Sequence, residues 1–341
     1  MSRSKTLQYY LAARLLLAPL MLWTIVTIVF FLLKATPGDP ADAFLGSRAS
    51  DEVKAALREQ LGLNRPIYEQ YFDYIWKMLQ GDFGTSITSS GKAVITVIQE
   101  NFPATLELAI GSMLIAFIVG VTVGTISASR PGTIADAGGR LFGIVSYSLP
   151  IFWVGMLLQL VFAVQLNIFP LGGRFSANLT PPEKITGLYT IDSLLHLDLA
   201  SFFVSIHHLA LPCLTLGVLL SGIFERIVRV NLKQSMKADY VEAARARGIP
   251  ETKILITHSL KNAMIPVITV LGLTTASLLG GAVLTEVTFS WPGLASQLYE
   301  AISNRDYPTV QGIMAFFSAI VVIASIAIDI INAWIDPRIK Y

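Results

Sequence analysis

Charge is scarce in this chain. Asp, Glu, Lys and Arg make up 14% of its 341 residues, while 53% are hydrophobic. Soluble domains carry about 25% charged residues, so the balance argues against an ordinary soluble protein and for a membrane one. Cysteine is nearly absent as well. Cys213 stands alone, which excludes an internal disulfide and any Cys-based zinc site, and its apolar surroundings give it a packing role. The net charge is only +2, so nucleic-acid binding has no electrostatic support.

Catalytic motifs are missing too. An ATP-binding loop needs G-x-x-x-x-G-K-[ST] so that backbone N–H groups can cradle phosphates. The nearest approach, "SITSSGKA" at 86–93, lacks the first glycine and the hydroxyl after Lys92. His207 and His208 are adjacent, so on a helix they diverge by ~100° instead of sharing a metal-binding face. No G-x-S-x-G elbow appears. The reading is therefore no enzyme, no metal and no cofactor on this chain.

Long apolar runs are what the chain does have. A bilayer core needs about 20 apolar residues per helix. Six segments approach that length: Leu15–Leu33, Leu108–Ala128, Leu141–Val164, Ser201–Phe224, Ala263–Thr285 and Thr309–Ile328. The first exceeds the ~7–15 residues of a signal-peptide core and reads as an uncleaved anchor. Lys and Arg cluster at 3–14, 130–140, 226–261 and 338–340, which by the positive-inside rule sets both termini in the cytoplasm. Glu107, Glu225, Glu286 and Asp329 fall near span ends, leaving the interiors essentially uncharged. A secondary transporter would need ionisable groups there to carry its coupling ion. Energy for transport must then come from outside this chain.

The chain divides into a tail with first span (1–34), an extracytoplasmic helical segment (35–103) and a five-span core (104–341). Within the outer segment, "SDEVKAALREQLG" has Ser50 as N-cap, an apolar face of Val53, Ala56, Leu57 and Leu61, and Gly62 as stop. "RPIYEQYFDYIWKMLQGDFG" follows, with Pro66 at the first turn. Its Tyr68, Tyr71, Tyr74 and Trp76 suit a helix at the outer membrane surface. This segment reads as a cap on the bundle or as a docking surface for a soluble partner. The loop 165–200 carries Gly172-Gly173 and Pro181-Pro182 and no chemical signal. Gly120/Gly124 and Gly139/Gly143 have the small-xxx-small spacing of close helix contacts.

One polar stretch, "KADYVEAARARGIPETK" (237–253), interrupts the core between the fourth and fifth spans. It predicts helix, break, helix across 232–262. Asp239 is placed to cap the first helix, with Glu242 returning the bond in a capping box. Gly248 is placed as a left-handed stop, and Pro250 opens the next helix. Ala243 and Ala244 would let a partner approach closely, with Arg245 and Arg247 beside them.

"EAARARG" resembles the EAA loop of ABC-importer permeases, with Glu242, Ala243, Ala244 and Gly248 in register. The general pattern of that family continues to Ile-x-Leu-Pro. Here "THSLKNAMIP", with His258, Asn262 and Pro266, is similar instead to the dipeptide/oligopeptide/nickel subfamily. "TPGDPA" (36–41), "LGLNRPIYEQY" (61–71), "GDFGTS" (81–86), "ATLELA" (104–109), "SLPIFW" (148–153), "LTEVTFSWPGL" (284–294), "NRDYPTVQG" (304–312) and "DPRIK" (336–340) extend the resemblance along nearly the whole chain.

The resemblance implies an all-α polytopic protein of the cytoplasmic (inner) membrane, with a six-helix type I importer permease fold. It implies a homologous second permease, two cytoplasmic ATPase subunits carrying ATP and Mg, and an extracytoplasmic substrate-binding protein. The helix around Asp239, Glu242 and Gly248 would couple to the ATPases. Tyr68, Trp76, Gln297 and Tyr299 are the expected docking residues for the binding protein. "ITGLYTID" (185–192) looks like dipeptide permeases, while nickel complexes and glutathione remain alternative cargoes.

Overall fold

A computed structural model describes residues 3–36, 45, 49–60, 62–89 and 91–335. The motifs at 37–41 and 336–340, and Leu61, lie outside the described residues. Among those residues the regular structure is helical, with one isolated bridge between Thr85 and Ala93.

Among the described residues, five helices are long and apolar enough to cross a membrane. They are α1 (Arg3–Ala35, its apolar part Leu16–Ala35), α4 (Val94–Ser129), α8 (Leu199–Ser235), α10 (Glu251–Leu279) and α13 (Tyr307–Ile335). Between α1 and α4 lie α2 (Asp51–Gln60) and α3 (Ile67–Leu79), close to where the sequence places them. Gly62 stops α2 at φ +67°, as its position suggests. The boundary drawn at 103/104 falls inside α4, which runs through Pro103 without interruption.

The expected span Leu141–Val164 is not one helix. It is split into α5 (Ile134–Ser148) and α6 (Ile151–Gln165, its last turns π-wound), which meet at a 101° bend. Pro150 is the cause. Its ring disfavours helical backbone at the preceding residue, and Leu149 accordingly adopts φ −82°, ψ 134°. Among the described residues there are thus five helices able to span a membrane, or six if the bent pair is one span. The fifth expected segment also ends early. α10 stops at Leu279, Gly281 turns at φ +108°, and 283–288 form a separate short helix, α11 (Val283–Thr288).

α4 and α8 form the centre of the bundle and run parallel. The packing pairs advance together: Leu108 carbonyl with Cys213, Ser112 with Gly217, Gly120 with Phe224, and Gly124 with Val228. Lipid tails are as apolar as Leu, so close approach and dispersion must hold such helices together. A Cβ at Gly120 would sit 2.5 Å from the Phe224 Cβ, and one at Gly124 2.8 Å from the Glu225 carbonyl oxygen. Gly139 and Gly143 do the same for α5, one against Ser127 of α4 and the other against the Glu225 carboxylate of α8. Both small-xxx-small readings describe real close contacts.

The loop 165–200 is more ordered than its composition suggests. Buried Glu107 accepts from Arg174 at 2.8 Å and from the Thr190 N–H and hydroxyl at 2.8 and 2.6 Å. Arg174 also donates to the Gly187 carbonyl and stacks over the Tyr189 ring. His207 and His208 are engaged with the loop carbonyls of Ile168 and Gly173.

Within this loop Asp192, at the start of α7 (Tyr189–Leu195), collects N–H groups from Ile185, Thr186 and Gly187. Burial pushes its carboxyl up. The hydroxyl of Thr186 and the backbone donors outweigh that and hold it below the usual carboxylate range. A depressed carboxyl contributes stability that is present above its unfolded value and lost as pH falls through its folded one. The Thr186 and Gly187 amides should therefore lose hydrogen-exchange protection below about pH 4, before the centre of α8 does. Protection at 186–187 that outlasts that of the centre of α8 as pH falls would contradict this.

Candidate functional site

The polar insert folds into α9 (Asp239–Ala246), directly after α8 and before α10. Its start differs from expectation. The N-cap is Ala238, in extended conformation at φ −79°, ψ 149°, and no side chain caps it. Asp239 is already the first helical residue and Glu242 the fourth, so the capping box does not form. Both carboxylates still lie in the first turn, where the helix dipole favours negative charge. The start is held by the Tyr240 hydroxyl paired with Ser235 Oγ, which also donates to the Ser259 carbonyl at 3.1 Å.

The end of α9 is as the sequence predicts. Gly248 adopts φ +72°. Its N–H donates to the Arg245 carbonyl at 2.9 Å, and the Ile249 N–H reaches back to Ala244 at 3.2 Å. This pair of bonds is a Schellman motif, which satisfies carbonyls that the helix end would otherwise orphan. The hydrophobic contact that accompanies it is present: Ile249 joins Met236 around buried Val241, Ala244 and Ile254.

That cluster decides which face is available. Val241 and Ala244 point inward, while Glu242, Ala243, Arg245, Ala246, Arg247 and Gly248 are exposed. Ala244 thus serves the protein's own packing, correcting its expected place on the partner surface. With helical spacing, Val241 and Ala244 share one side, so Ala243 is left on the other. Arg245 adds a brace not foreseen from sequence. Its Nε donates to Glu251 Oε1 at 2.6 Å and a terminal nitrogen to Oε2 at 3.3 Å, tying the end of α9 to the start of α10. The first turns of α10 are π-wound over Ile254–Leu260, and Asn262 donates to the His258 carbonyl at 3.1 Å. Within "THSLKNAMIP", the Ser259 carbonyl is the group that meets the end of α8.

At the opposite end of the bundle, two carboxylates tie distant segments together. Glu286 accepts from Thr105 Oγ1 at 2.6 Å and from the Ser296 N–H at 2.8 Å. Asp306 is fully buried and accepts through Oδ2 from Ser86 Oγ, the Ile87 N–H, and the N–H and hydroxyl of Thr88 at 2.8–2.9 Å. Thr309 adds its own N–H and hydroxyl to the same carboxylate. The Trp291 indole donates to the Ala104 carbonyl at 2.8 Å. The short motifs "GDFGTS", "ATLELA", "LTEVTFSWPGL" and "NRDYPTVQG" thus meet in space. Acidic residues beside glycine, proline and tryptophan were the available signal, but their partners could not be paired from sequence.

The remaining outer candidates lie on two elements. Gln297 is half-buried and Tyr299 is exposed, both on α12 (Leu294–Ser303), whose Leu294, Ala295, Leu298 and Ala301 face the core. Tyr68 and Trp76 are exposed on α3.

Comparison with known proteins identifies the family. Residues 120–341 match the family described as binding-protein-dependent transport system inner membrane component, and residues 7–109 match the N-terminal part of the membrane component of such systems. Similar proteins include a probable D,D-dipeptide transport system permease protein of Escherichia coli (strain K12), 40% identical over 92% of each chain. A di/tripeptide transport system permease protein of Pseudomonas aeruginosa (strain UCBPP-PA14) is 38% identical over 97% of this chain and 98% of its own. An oligopeptide transport system permease protein of Bacillus subtilis (strain 168) is 34% identical over 97% and 99%.

Proposed function

Because the chain belongs to the family of binding-protein-dependent transport system inner membrane components, we propose that it is the membrane-spanning permease subunit of an ATP-driven importer for short peptides. The names of its relatives support peptides as the cargo. In this reading it forms half of the translocation pathway with a homologous second permease, and both termini face the cytoplasm. Two ATPase subunits, which carry ATP and Mg, sit beneath it. A substrate-binding protein delivers cargo from outside, and exposed Tyr299 and half-buried Gln297 on α12 are candidate contacts for it.

The observation that carries the coupling role is the two-ended attachment of α9. One end is tied to α8 through Ser235 and Tyr240, and the other to α10 through Arg245 and Glu251. A helix of about 12 Å is marginal alone in water and needs such packing to stay formed. Its exposed Glu242–Ala243 and Arg245–Gly248 face is the surface offered to an ATPase. A push there is passed to two spans at once.

Reconstitution tests the function. Proteoliposomes holding this chain, its second permease and the ATPases should accumulate labelled dipeptide only with ATP on the α9 side and loaded binding protein on the other. Accumulation driven by a proton gradient without the ATPases would overturn the reading. Uptake of a nickel complex or glutathione without dipeptide would keep the role and replace the cargo.

A further inference from the structure

The outer helix α3 has three distinct faces. At ~100° per residue, Gln70, Tyr71, Tyr74 and Met78 occupy one side and are half-buried. Glu69, Asp73, Lys77 and Gln80 form a polar arc, with Asp73 and Lys77 paired at 3.1 Å. The third side is apolar and bare. Tyr68, Phe72, Trp76 and Leu79 are 64%, 69%, 64% and 72% exposed. So large an aromatic stripe is not left to water without a reason.

Its depth follows from what the half-buried side touches. The Tyr71 hydroxyl bonds Thr27 Oγ1 at 2.7 Å, the Tyr71 and Tyr74 rings pack on Phe30, and Gln70 accepts from Lys34. All of these partners lie on the last turns of the apolar run Leu16–Ala35. That run of 20 residues is about 30 Å long, which is the thickness of the hydrocarbon core. The contacts from Thr27 to Lys34 therefore hold α3 beside the outermost ~10 Å of the span, at the lipid–water boundary. On α3 these contacts come from Gln70, Tyr71 and Tyr74 alone. Its aromatic surface also continues onto the span: Phe31 is half exposed, stacks on Tyr71, and Tyr71 meets Phe72 edge-on.

We propose that α3 is an interfacial anchor whose Tyr68, Phe72, Trp76 and Leu79 lie among the headgroups and upper acyl chains of the leaflet opposite α9. The polar arc faces water. Tyr and Trp suit this boundary because each has an apolar body and a polar handle. The assignment gives Tyr68 and Trp76 to lipid instead of a binding protein, and it holds whatever cargo the chain carries.

Site-directed spin labelling tests it on the full chain in phosphatidylethanolamine–phosphatidylglycerol vesicles. Buried Cys213 is first exchanged for alanine, and labels are placed through Phe72→Cys, Trp76→Cys, Asp73→Cys and Lys77→Cys. At 72 and 76, collisions with oxygen should exceed those with a water-soluble nickel chelate several-fold, and at 73 and 77 the order should reverse. Adding loaded binding protein should leave 72 and 76 unchanged. Equal aqueous access at all four sites would overturn the proposal. So would immobilisation of 72 and 76 only when the binding protein is present, and Tyr68→Cys provides an independent check of either result.

Discussion

Replacing Gly248 by valine is expected to abolish coupled uptake while the chain still inserts. The reason is the backbone, not crowding. Gly248 sits at φ +72°, and a Cβ there would meet nothing within 4 Å. Left-handed backbone costs an ordinary L-residue about 1–2 kcal/mol, and a β-branched one tolerates it least. Valine can relieve the strain only by leaving that conformation, which gives up the Gly248 and Ile249 hydrogen bonds and pulls Ile249 from its cluster. α9 would then lose its fixed reversal, and Arg245 its register with Glu251. The measurement is peptide accumulated per ATP hydrolysed in proteoliposomes. The ratio should collapse for Gly248→Val and fall only partly for Gly248→Asn, since asparagine visits this region more readily. A valine variant with an unchanged ratio would end the assignment of α9 as the coupling element.

The largest loss of stability is expected from Asp306→Ala. Its carboxylate, with no exposed surface, gathers donors from 86–88 and from Thr309 at the start of α13. Each buried donor left without an acceptor costs about 1–3 kcal/mol, and relaxation toward water recovers part of it. A net loss of roughly 3–5 kcal/mol is the expectation, comparable to breaking a buried pair. Asp306→Asn should fall between, because its amide keeps one acceptor and turns an N–H toward donors. Denaturation in detergent reads this directly. A loss below about 1 kcal/mol for the alanine variant would mean that other contacts hold the 85–93 turn.

Much of this architecture could be read from the sequence, for physical reasons that differ by element. Long apolar runs announce α1, α4, α8 and α13 because lipid imposes a minimum length, whatever the packing. Gly62 and Gly248 were legible as stops because only glycine enters left-handed backbone at little cost. The span at 141–164 was misread because hydropathy counts apolar side chains and ignores what Pro150 does to Leu149. The capping box failed by one residue: an acidic residue followed by Glu three later also fits a first turn whose cap is Ala238. Ala244 looked available because alanine says nothing about which way it faces. The carboxylate ties stayed hidden because Glu107, Glu286 and Asp306 find partners 67, 181 and 220 residues away. Local pattern carries no record of such pairings.

The bundle is fastened by directional bonds at both ends. Arg174–Glu107, Glu286, Asp306 and Trp291 bolt the segments together at one end, each through buried directional bonds. At the end near α9, beside the small clusters Ala128–Leu232–Ala263 and Val241–Ala244–Ile254, Lys233 of α8 donates to buried Asp136 of α5 at 2.7 Å and Ser235 of α8 to the Ser259 carbonyl of α10 at 3.1 Å. A force delivered at α9 would therefore be shared among α5, α8 and α10, which these bonds join into one block.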